Sequence, residues 1–304
     1  MNKKLKIIIS VASGLVLIGG GIPLGIFLSD LFTFKGVDYS SLDANANEDN
    51  MNALFTRYEA DKAKSAYELS SSYSPSQLVM IAENNISKHE HVQTVGIGLV
   101  NAAMGVKQSI YSSVVRQGDN YFMENLSKSS FVSVAKRFYQ SNTNDEIKTF
   151  TGDLIDEKKA TWEKEAISSL TLKEHEEAWG KDLSRSSIYI VSSKTVLSET
   201  IENVEGNIKV SLSLDPLNSV IRYVKQMVKV SDLSAPPAFH SVDIAYTISQ
   251  DMKLLSREIN EVYDVTSFGV VSKNTKGHLV ESIYYDNEFA IPSLDEHFIY
   301  DDYE

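Results

Sequence analysis

Residues 242–265 read VDIAYTISQDMKLLSREINEVYDV, and this stretch decides the fold class. Apolar residues occupy every second position from Val242 to Ile248, which is the period of a strand with one buried face. A short polar break at residues 249–252 follows, and apolar residues then return at spaced positions up to Val265. The stretch therefore predicts two antiparallel strands joined by a tight turn.

The same pattern continues on both sides of this pair of strands. Residues 279–285 again carry spaced apolar side chains, after a turn predicted at residues 274–277. Residues 208–214 alternate strictly, and Glu205-Gly206-Asn207 predicts a hairpin turn that joins them to a strand at residues 196–204. The C-terminal half is therefore predicted to be an antiparallel meander.

A second meander is predicted in the N-terminal half. Val95, Ile97 and Leu99 alternate with small residues, and strand-like runs follow at residues 106–115 and 121–126, joined by a hairpin turn at residues 118–120. A further short strand is predicted at residues 188–191. Two meanders with similar layouts therefore flank the middle of the chain.

Three helices are predicted between and before these meanders. Ser74 and Pro75 suit the start of a helix that ends near His89. The charged segment 153–180 predicts a solvated helical insert, and residues 215–228 predict an apolar helix capped by Asp215. The class is therefore α+β.

The N-terminus carries a candidate membrane anchor. No residue from Ile7 to Leu28 is charged, and a helix of this length spans about 33 Å, close to the hydrocarbon thickness of about 30 Å. Lysines precede the run and Asp30 follows it, which predicts a cytoplasmic N-terminus and an extracytoplasmic C-terminus. A cleaved signal peptide is the alternative, but the nearest small-x-small triplet lies far downstream at residues 44–46.

The overall composition excludes several classes of protein. The 304-residue chain has a net charge of −12, which disfavours binding to nucleic acids and lying flat on anionic lipid. It contains no cysteine, which rules out disulfides, thiolate metal sites and a lipid-bearing cysteine. Attachment to a membrane must then come from the peptide itself.

These features divide the chain into four parts. Residues 1–30 are predicted as a cytoplasmic stub and single-pass membrane anchor, and residues 31–73 as a polar linker or stalk containing one amphipathic helix. Residues 74–291 are predicted as one extracytoplasmic domain, and residues 292–304 as a solvated acidic tail. The predicted location is the cell membrane.

Residues 170–285 contain a familiar succession of short motifs, namely Leu214-Asp215-Pro216, Tyr223, Gln226-Met227, Pro237-x-Phe239-His240-Ser241 and Glu261-Val262-Tyr263. With the order of its elements, this part of the chain resembles the lipoprotein-carrier type of half-barrel. This family includes periplasmic lipoprotein carriers, mycobacterial envelope lipoproteins that bind acylated lipids, and related envelope proteins of low-GC Gram-positive bacteria. The resemblance implies a curved antiparallel half-barrel, partly lidded by helices, whose concave apolar face can hold acyl chains.

The sequence offers no convincing catalytic or metal site. Residues 133–136 match S-x-x-K, but the companion motifs of that class of enzyme are missing. His89-Glu90-His91 is more simply explained by a solvated helix end, and residues 175–179 lack the second histidine of H-E-x-x-H. We therefore expect no enzyme, no cofactor and no metal.

The apolar rows of the strands are the remaining candidates for function. They would line a cavity for a lipid or another amphiphile, or they would form a filled core, since both need the same alternation. The alternative function is a non-catalytic structural or interaction module, in which the outer surface of the sheet or the insert at 153–180 docks an envelope protein. The candidate ligand-binding residues are Tyr246, Ile248, Ile259, Tyr263, Phe268, Ile283 and Tyr285.

Overall fold

The computed structural model describes most of the chain after residue 35. No helix among these residues is long and apolar enough to cross a membrane. The predicted anchor, Phe268 and most of the predicted acidic tail lie outside the described residues. The described residues are 36–102, 107–118, 120–129, 133–143, 146–156, 159–162, 166, 168–179, 189–230, 233–267, 270–285 and 298–299.

Within these residues, thirteen strands form one antiparallel sheet that does not close on itself. The order across the sheet is β13-β6-β5-β4-β3-β2-β1-β12-β11-β10-β9-β8, and β7 pairs with β5. The strands are β1 (His91–Asn101), β2 (Lys107–Gln117), β3 (Asn120–Ser129), β4 (Ser133–Thr143), β5 (Glu146–Asp156), β6 (Lys159–Trp162), β7 (Ser168–Thr171), β8 (Val196–Val204), β9 (Asn207–Leu214), β10 (Leu233–Ile248), β11 (Leu254–Ser267), β12 (Val270–Tyr284) and β13 (Phe298–Ile299).

The sheet consists of two meanders that meet at its centre. The first meander runs outward from β1 to β7, and the second runs inward from β8 to β12. The last strand of the second meander pairs with the first strand of the first, so that Ile97 is the partner of Val280. The hairpin turns also agree with the sequence, because Gly118, Glu205 and Gly206 all have positive φ angles at the predicted positions.

Five α-helices accompany the sheet in the part of the chain that the structure describes. The third begins as predicted, with a capping box formed by Ser74 and Gln77 and with Pro75 in its first turn. It packs on β8 to β11, while the fifth packs on β10 and the fourth contacts the fifth, β5 and β7. We call the sheet face under the third and fifth helices the inner face. The helices are α1 (Met51–Asp61), α2 (Ala66–Leu69), α3 (Pro75–Ser87), α4 (Leu172–Trp179) and α5 (Ile221–Val230).

The inner face of the second meander forms most of the main core, which also includes Val92 and Val100 of β1 and Ile110 of β2. Every second residue of β9 and β10 is buried there, as the alternation predicted, because strand side chains point to opposite faces in turn. The helices cover this face with their own apolar side chains, including Leu78, Ile81 and Tyr223. The β9 and β10 members are Ile208, Val210, Leu212, Leu214, Val242, Ile244, Tyr246 and Ile248.

The predicted helical insert at residues 153–180 is mostly wrong. Among the described residues of this segment only α4 is helical, and it begins with a capping box formed by Thr171 and Glu174. The strands β5, β6 and β7 occupy the earlier described positions. The charges at residues 153–159 suggested a solvated helix face. The backbone instead pairs across the sheet, with Asp153 opposite Lys136 of β4, and such non-local pairing overrides local propensity.

Other local predictions need correction for similar reasons. Pro236 and Pro237, which would be expected to interrupt a strand, lie inside β10 at irregularities in its pairing with β11, where a missing N–H is tolerated. The turn predicted at residues 274–277 is part of β12, and the strand predicted at 188–191 is irregular at residues 189–191. The strand β4 was not predicted.

The segment predicted as a polar stalk packs against the domain in its described part. Leu54 and Tyr58 of α1, Leu69 of α2 and Tyr73 are buried members of the main core. The Tyr39 hydroxyl donates a hydrogen bond to the Pro237 carbonyl, 3.1 Å away. Residues 36–73 therefore belong to the folded unit, since their spaced apolar side chains have a surface to cover.

Candidate functional site on the inner face of the sheet

The structure brings most of the predicted ligand-binding residues onto the inner face. Tyr246, Ile248, Ile259, Tyr263 and Ile283 are buried members of one apolar cluster. Tyr285 packs on the same cluster while partly exposed, and its hydroxyl donates to the Leu254 carbonyl at 2.9 Å. These residues do not form a single group, because Tyr246 and Tyr263 lie toward opposite ends of the paired strands β10 and β11.

A buried ion pair network lies at the Tyr246 end. Arg257 of β11 is the cross-strand partner of Tyr246, and its Nε lies 2.8 Å from Oε2 of Glu281 on β12. Its Nη1 also contacts Oε1 of Glu83 on α3 at 3.1 Å. Buried charges persist only when they are paired, so this network holds α3 in register on the sheet.

Small residues on β1 make room for this network. Gly96 is the cross-strand partner of both Glu281 and Ser112, and a Cβ atom at Gly96 would lie 2.4 Å from the Ser112 Oγ. Glycine inside a strand often marks such a close approach. Thr94 and Gly98 occupy the neighbouring inner-face positions of the same strand, so the centre of the inner face carries short side chains.

A buried carboxyl surrounded by tyrosines lies at the Tyr263 end. The Tyr189 hydroxyl donates to Oε1 of Glu261, and the Tyr223 hydroxyl is a second donor to this carboxyl. Burial raises the pKa of Glu261 to about 7, although both hydrogen bonds lower it. Glu261 is therefore a carboxyl that exchanges a proton near neutral pH inside an apolar surface.

A row of aromatic rings surrounds this carboxyl. Ring centroids lie 5.3 Å apart for Tyr189 and Tyr223, 5.6 Å for Tyr223 and Phe239, and 5.2 Å for Phe239 and Tyr263. All three pairs are tilted, which suits the quadrupoles of aromatic rings. Burial, followed by the nearby Glu261 charge, raises the pKa of Tyr263 well above its usual value, so Tyr263 stays neutral and can donate a hydrogen bond.

The first meander carries a second, smaller apolar cluster. Tyr121 and Ile147 are buried together with Val114 packed against them. Beside them the Gln140 amide donates to the Thr149 hydroxyl at 3.4 Å. Among the described residues this cluster is distinct from the main core, and Thr94 of β1 lies between Val114 and Ile283 in the pairing register. At the level of Thr94, Gly96 and Gly98, short side chains of β1 therefore lie between the two apolar clusters, whereas Val92, Val100 and Ile110 belong to the main core.

Sequence reasoning missed the charged members of the inner face. Arg257 and Glu261 share the period-two positions of Ile259 and Tyr263 on β11, so they face the core although they are charged. Charged residues in register with apolar ones are the signal that could have identified them, because such residues are buried only with partners. Their partners come from other strands and helices, which the local sequence does not reveal.

The chemistry of this surface suits recognition by shape and by a few polar groups. Among the described residues, no group of three histidine, aspartate or glutamate side chains is arranged to hold a metal ion. In comparisons with known proteins, the chain matches no family model and no curated protein.

Proposed function

We propose that this chain is a membrane-tethered, extracytoplasmic protein that binds a lipid or another amphiphile on the inner face of its sheet. The observation that carries the proposal is the pair of apolar clusters on that face, separated by the short side chains of β1. An acyl chain lying between the clusters would bury apolar surface from both, at about 25 cal/mol per Å² removed from water.

The proposed geometry is a curved half-barrel. Twisted antiparallel sheets of this many strands curl or split, and curling toward α3 and α5 makes the inner face concave. This is the arrangement that the resemblance to lipoprotein carriers implies. Helices α3 and α5 cover the second meander, so the ligand would lie toward β1 and the first meander, with Ile283 and Tyr263 at its boundary.

The carboxyl of Glu261 gives the proposed site a polar end. A buried carboxyl with a pKa of about 7 can accept a hydrogen bond when ionised and donate one when protonated. The tyrosine hydroxyls around it add further hydrogen-bonding capacity. An amphiphile with a polar head and an apolar tail fits this division better than a purely apolar molecule does.

The direct test is mass spectrometry of lipid that copurifies with the full chain in mild detergent. Thr94→Phe should fill the space between the clusters and lower lipid occupancy several-fold. Val95→Phe is the matched control, because it adds a similar ring to the opposite face of the same strand. Equal occupancy in both variants, with thermal unfolding unchanged, would contradict binding at this face.

A second candidate function is docking of an extended segment of an envelope protein. It is favoured by β8, a nine-residue strand at one edge of the sheet, which bears the exposed side chains Leu197, Ile201 and Val204. An open edge strand pairs readily with another chain. Thr200→Pro should abolish a crosslink between β8 and such a partner, while Thr200→Ser should preserve it.

A further inference from the structure

The outer face of the sheet bears an aliphatic patch at its centre. Ile97 and Leu99 of β1 lie beside Val280 of β12, since Ile97 pairs with Val280 and Leu99 with the adjacent His278. The side chains of Ile97, Leu99 and Val280 are 65%, 39% and 40% exposed. Adjoining exposed aliphatic side chains mark a contact surface more than isolated ones do.

Three lysines flank this patch. Lys276 of β12 and Lys107 of β2 are the two partners of Asn101, and Lys128 of β3 is the partner of Ser109. Asn101 and Leu99 lie two residues apart on β1, and Ser109 is the partner of Leu99, so all three lysines share the outer face. The lysine side chains are exposed.

The three lysines make the surface around this patch locally positive, although the protein is acidic as a whole. The chain as a whole has a net charge of −12, and none of these three lysines forms an ion pair with another described residue. Charges more than about 8 Å away are largely screened at physiological ionic strength. A local group of exposed lysines therefore attracts an anionic surface even on an acidic protein.

The first described residues of the chain lie at the same end of the sheet as these lysines. Tyr39 is bound to Pro237 near the start of β10, and β10 and β12 run in the same direction because each is antiparallel to β11. Lys276 lies in the first half of β12. Residues 29–36 join the predicted anchor to this end and can extend over about 28 Å at most, which keeps this end near the bilayer.

We propose that the surface formed by Ile97, Leu99, Val280, Lys107, Lys128 and Lys276 docks onto an anionic lipid bilayer. The lysines contact anionic headgroups, and the aliphatic side chains enter the interfacial region. The expectation that an acidic chain avoids anionic lipid applies to its average surface and not to this patch. The inference requires the chain to be at a membrane, but it requires no amphiphile on the inner face.

The test uses the full chain reconstituted in two kinds of vesicle, one of phosphatidylcholine alone and one of phosphatidylcholine with phosphatidylglycerol. Because the chain has no cysteine, Ser109→Cys places a single fluorescent label on the patch, and Ser198→Cys places one on exposed β8 as the matched control. Spin-labelled lipids should quench the label at position 109 only in the anionic vesicles, and added salt should reverse the quenching.

Lysine substitutions separate docking from simple proximity. Each Lys→Gln change at positions 107, 128 and 276 should lower the ratio of docked to undocked protein about fivefold, the factor that corresponds to the electrostatic contribution of one lysine. Lys209→Gln on β9 is the control and should have no effect. The proposal fails if the label at 109 stays unquenched, if the two positions are quenched equally, or if the triple Lys→Gln variant is quenched as before. Quenching that requires an added acidic protein would also overturn it.

Failure of this test is distinct from failure of the proposed function. Lipid occupancy of the inner face is measured by mass spectrometry, and docking is measured by quenching on the outer face. Thr94→Phe should therefore leave the quenching unchanged, while the lysine variants should leave copurified lipid unchanged.

Discussion

Arg257 and Glu281 form a buried ion pair across β11 and β12, with 2.8 Å between the Nε and Oε2 atoms. Their side chains are only 3% and 1% exposed. Glu83 of α3 contacts the same guanidinium, so one cation joins two strands and a helix. This network lies at the centre of the inner face, where the two meanders meet.

We expect Arg257→Met to destabilise the protein by about 3–5 kcal/mol, because it leaves buried carboxylates without their cation. The free energy of unfolding of the full chain in mild detergent, measured by urea titration, tests this. Lys62→Met is the control, since the Lys62–Glu59 pair is exposed on α1 and should contribute about 0–1 kcal/mol. Equal losses in the two variants would contradict the role given to the network.

The contribution of Glu261 to the stability of the protein should fall as the pH rises from about 4.5 to about 7. The folded-state pKa of Glu261 is raised from 4.5 to about 7, so in this window the folded state holds a proton that the unfolded state has released. The stabilisation is complete below the lower value and lost above the upper one. The groups that face Glu261 are the phenols of Tyr189, Tyr223 and Tyr263, and burial raises the pKa of Tyr189 and of Tyr263 well above this window.

Glu261→Gln should remove this dependence, because glutamine does not titrate. Unfolding free energies at the two ends of the window should differ by a few kcal/mol more in the parent chain than in the variant. Glu258→Gln, on the opposite face of the same strand, is the control and should leave the pH dependence of the unfolding free energy unchanged. If that pH dependence also persists in Glu261→Gln, another group is responsible for it.

Gly96→Ala should destabilise the sheet, because the new methyl group would lie 2.4 Å from the Ser112 Oγ. Overpacking of this kind typically costs about 1–3 kcal/mol. Adding Ser112→Gly should recover most of the loss, and thermal unfolding of the single and double variants measures the coupling. No recovery in the double variant would place the strain elsewhere.

The hairpin between β8 and β9 gives a test of backbone conformation alone. Gly206 has a φ of +82° and no atom near its would-be Cβ, so Gly206→Ala should cost about 1 kcal/mol through conformational strain. Glu205 has a φ of +53°, a region that asparagine tolerates better, and Glu205→Asn should raise the unfolding temperature. We expect the unfolding temperature to fall in Gly206→Ala and to rise in Glu205→Asn. A change in the same direction in both variants would contradict the left-handed conformation of these two residues.

Much of the second meander could be predicted from the sequence. Strict alternation in residues 208–214 and 242–248 identified β9 and part of β10 and their buried rows, and the Glu205-Gly206 turn and the Ser74 cap marked element ends. These signals are local, since they depend on side-chain period and on backbone preferences of a few neighbouring residues. They also identified Tyr246 and Tyr263 as inward-facing.

The alternation in β1 shows the limit of such signals. Val95, Ile97 and Leu99 share a face, as predicted, but that face is the outer one, and Ile97 is largely exposed. Thr94, Gly96 and Gly98 occupy the inner face instead. A period of two says which residues share a face, but the neighbouring strands and helices decide which face is covered.

By itself, the sequence determined the positions of most strands and caps, the absence of disulfides and the candidate anchor, because these depend on residue type and short-range spacing. Tertiary structure alone decided that residues 146–156 and 159–162 are strands, that β12 pairs with β1, and that Arg257, Glu281 and Glu83 meet. The physical reason is that backbone pairing and burial of charge depend on partners distant in the chain, whose contributions outweigh local propensity.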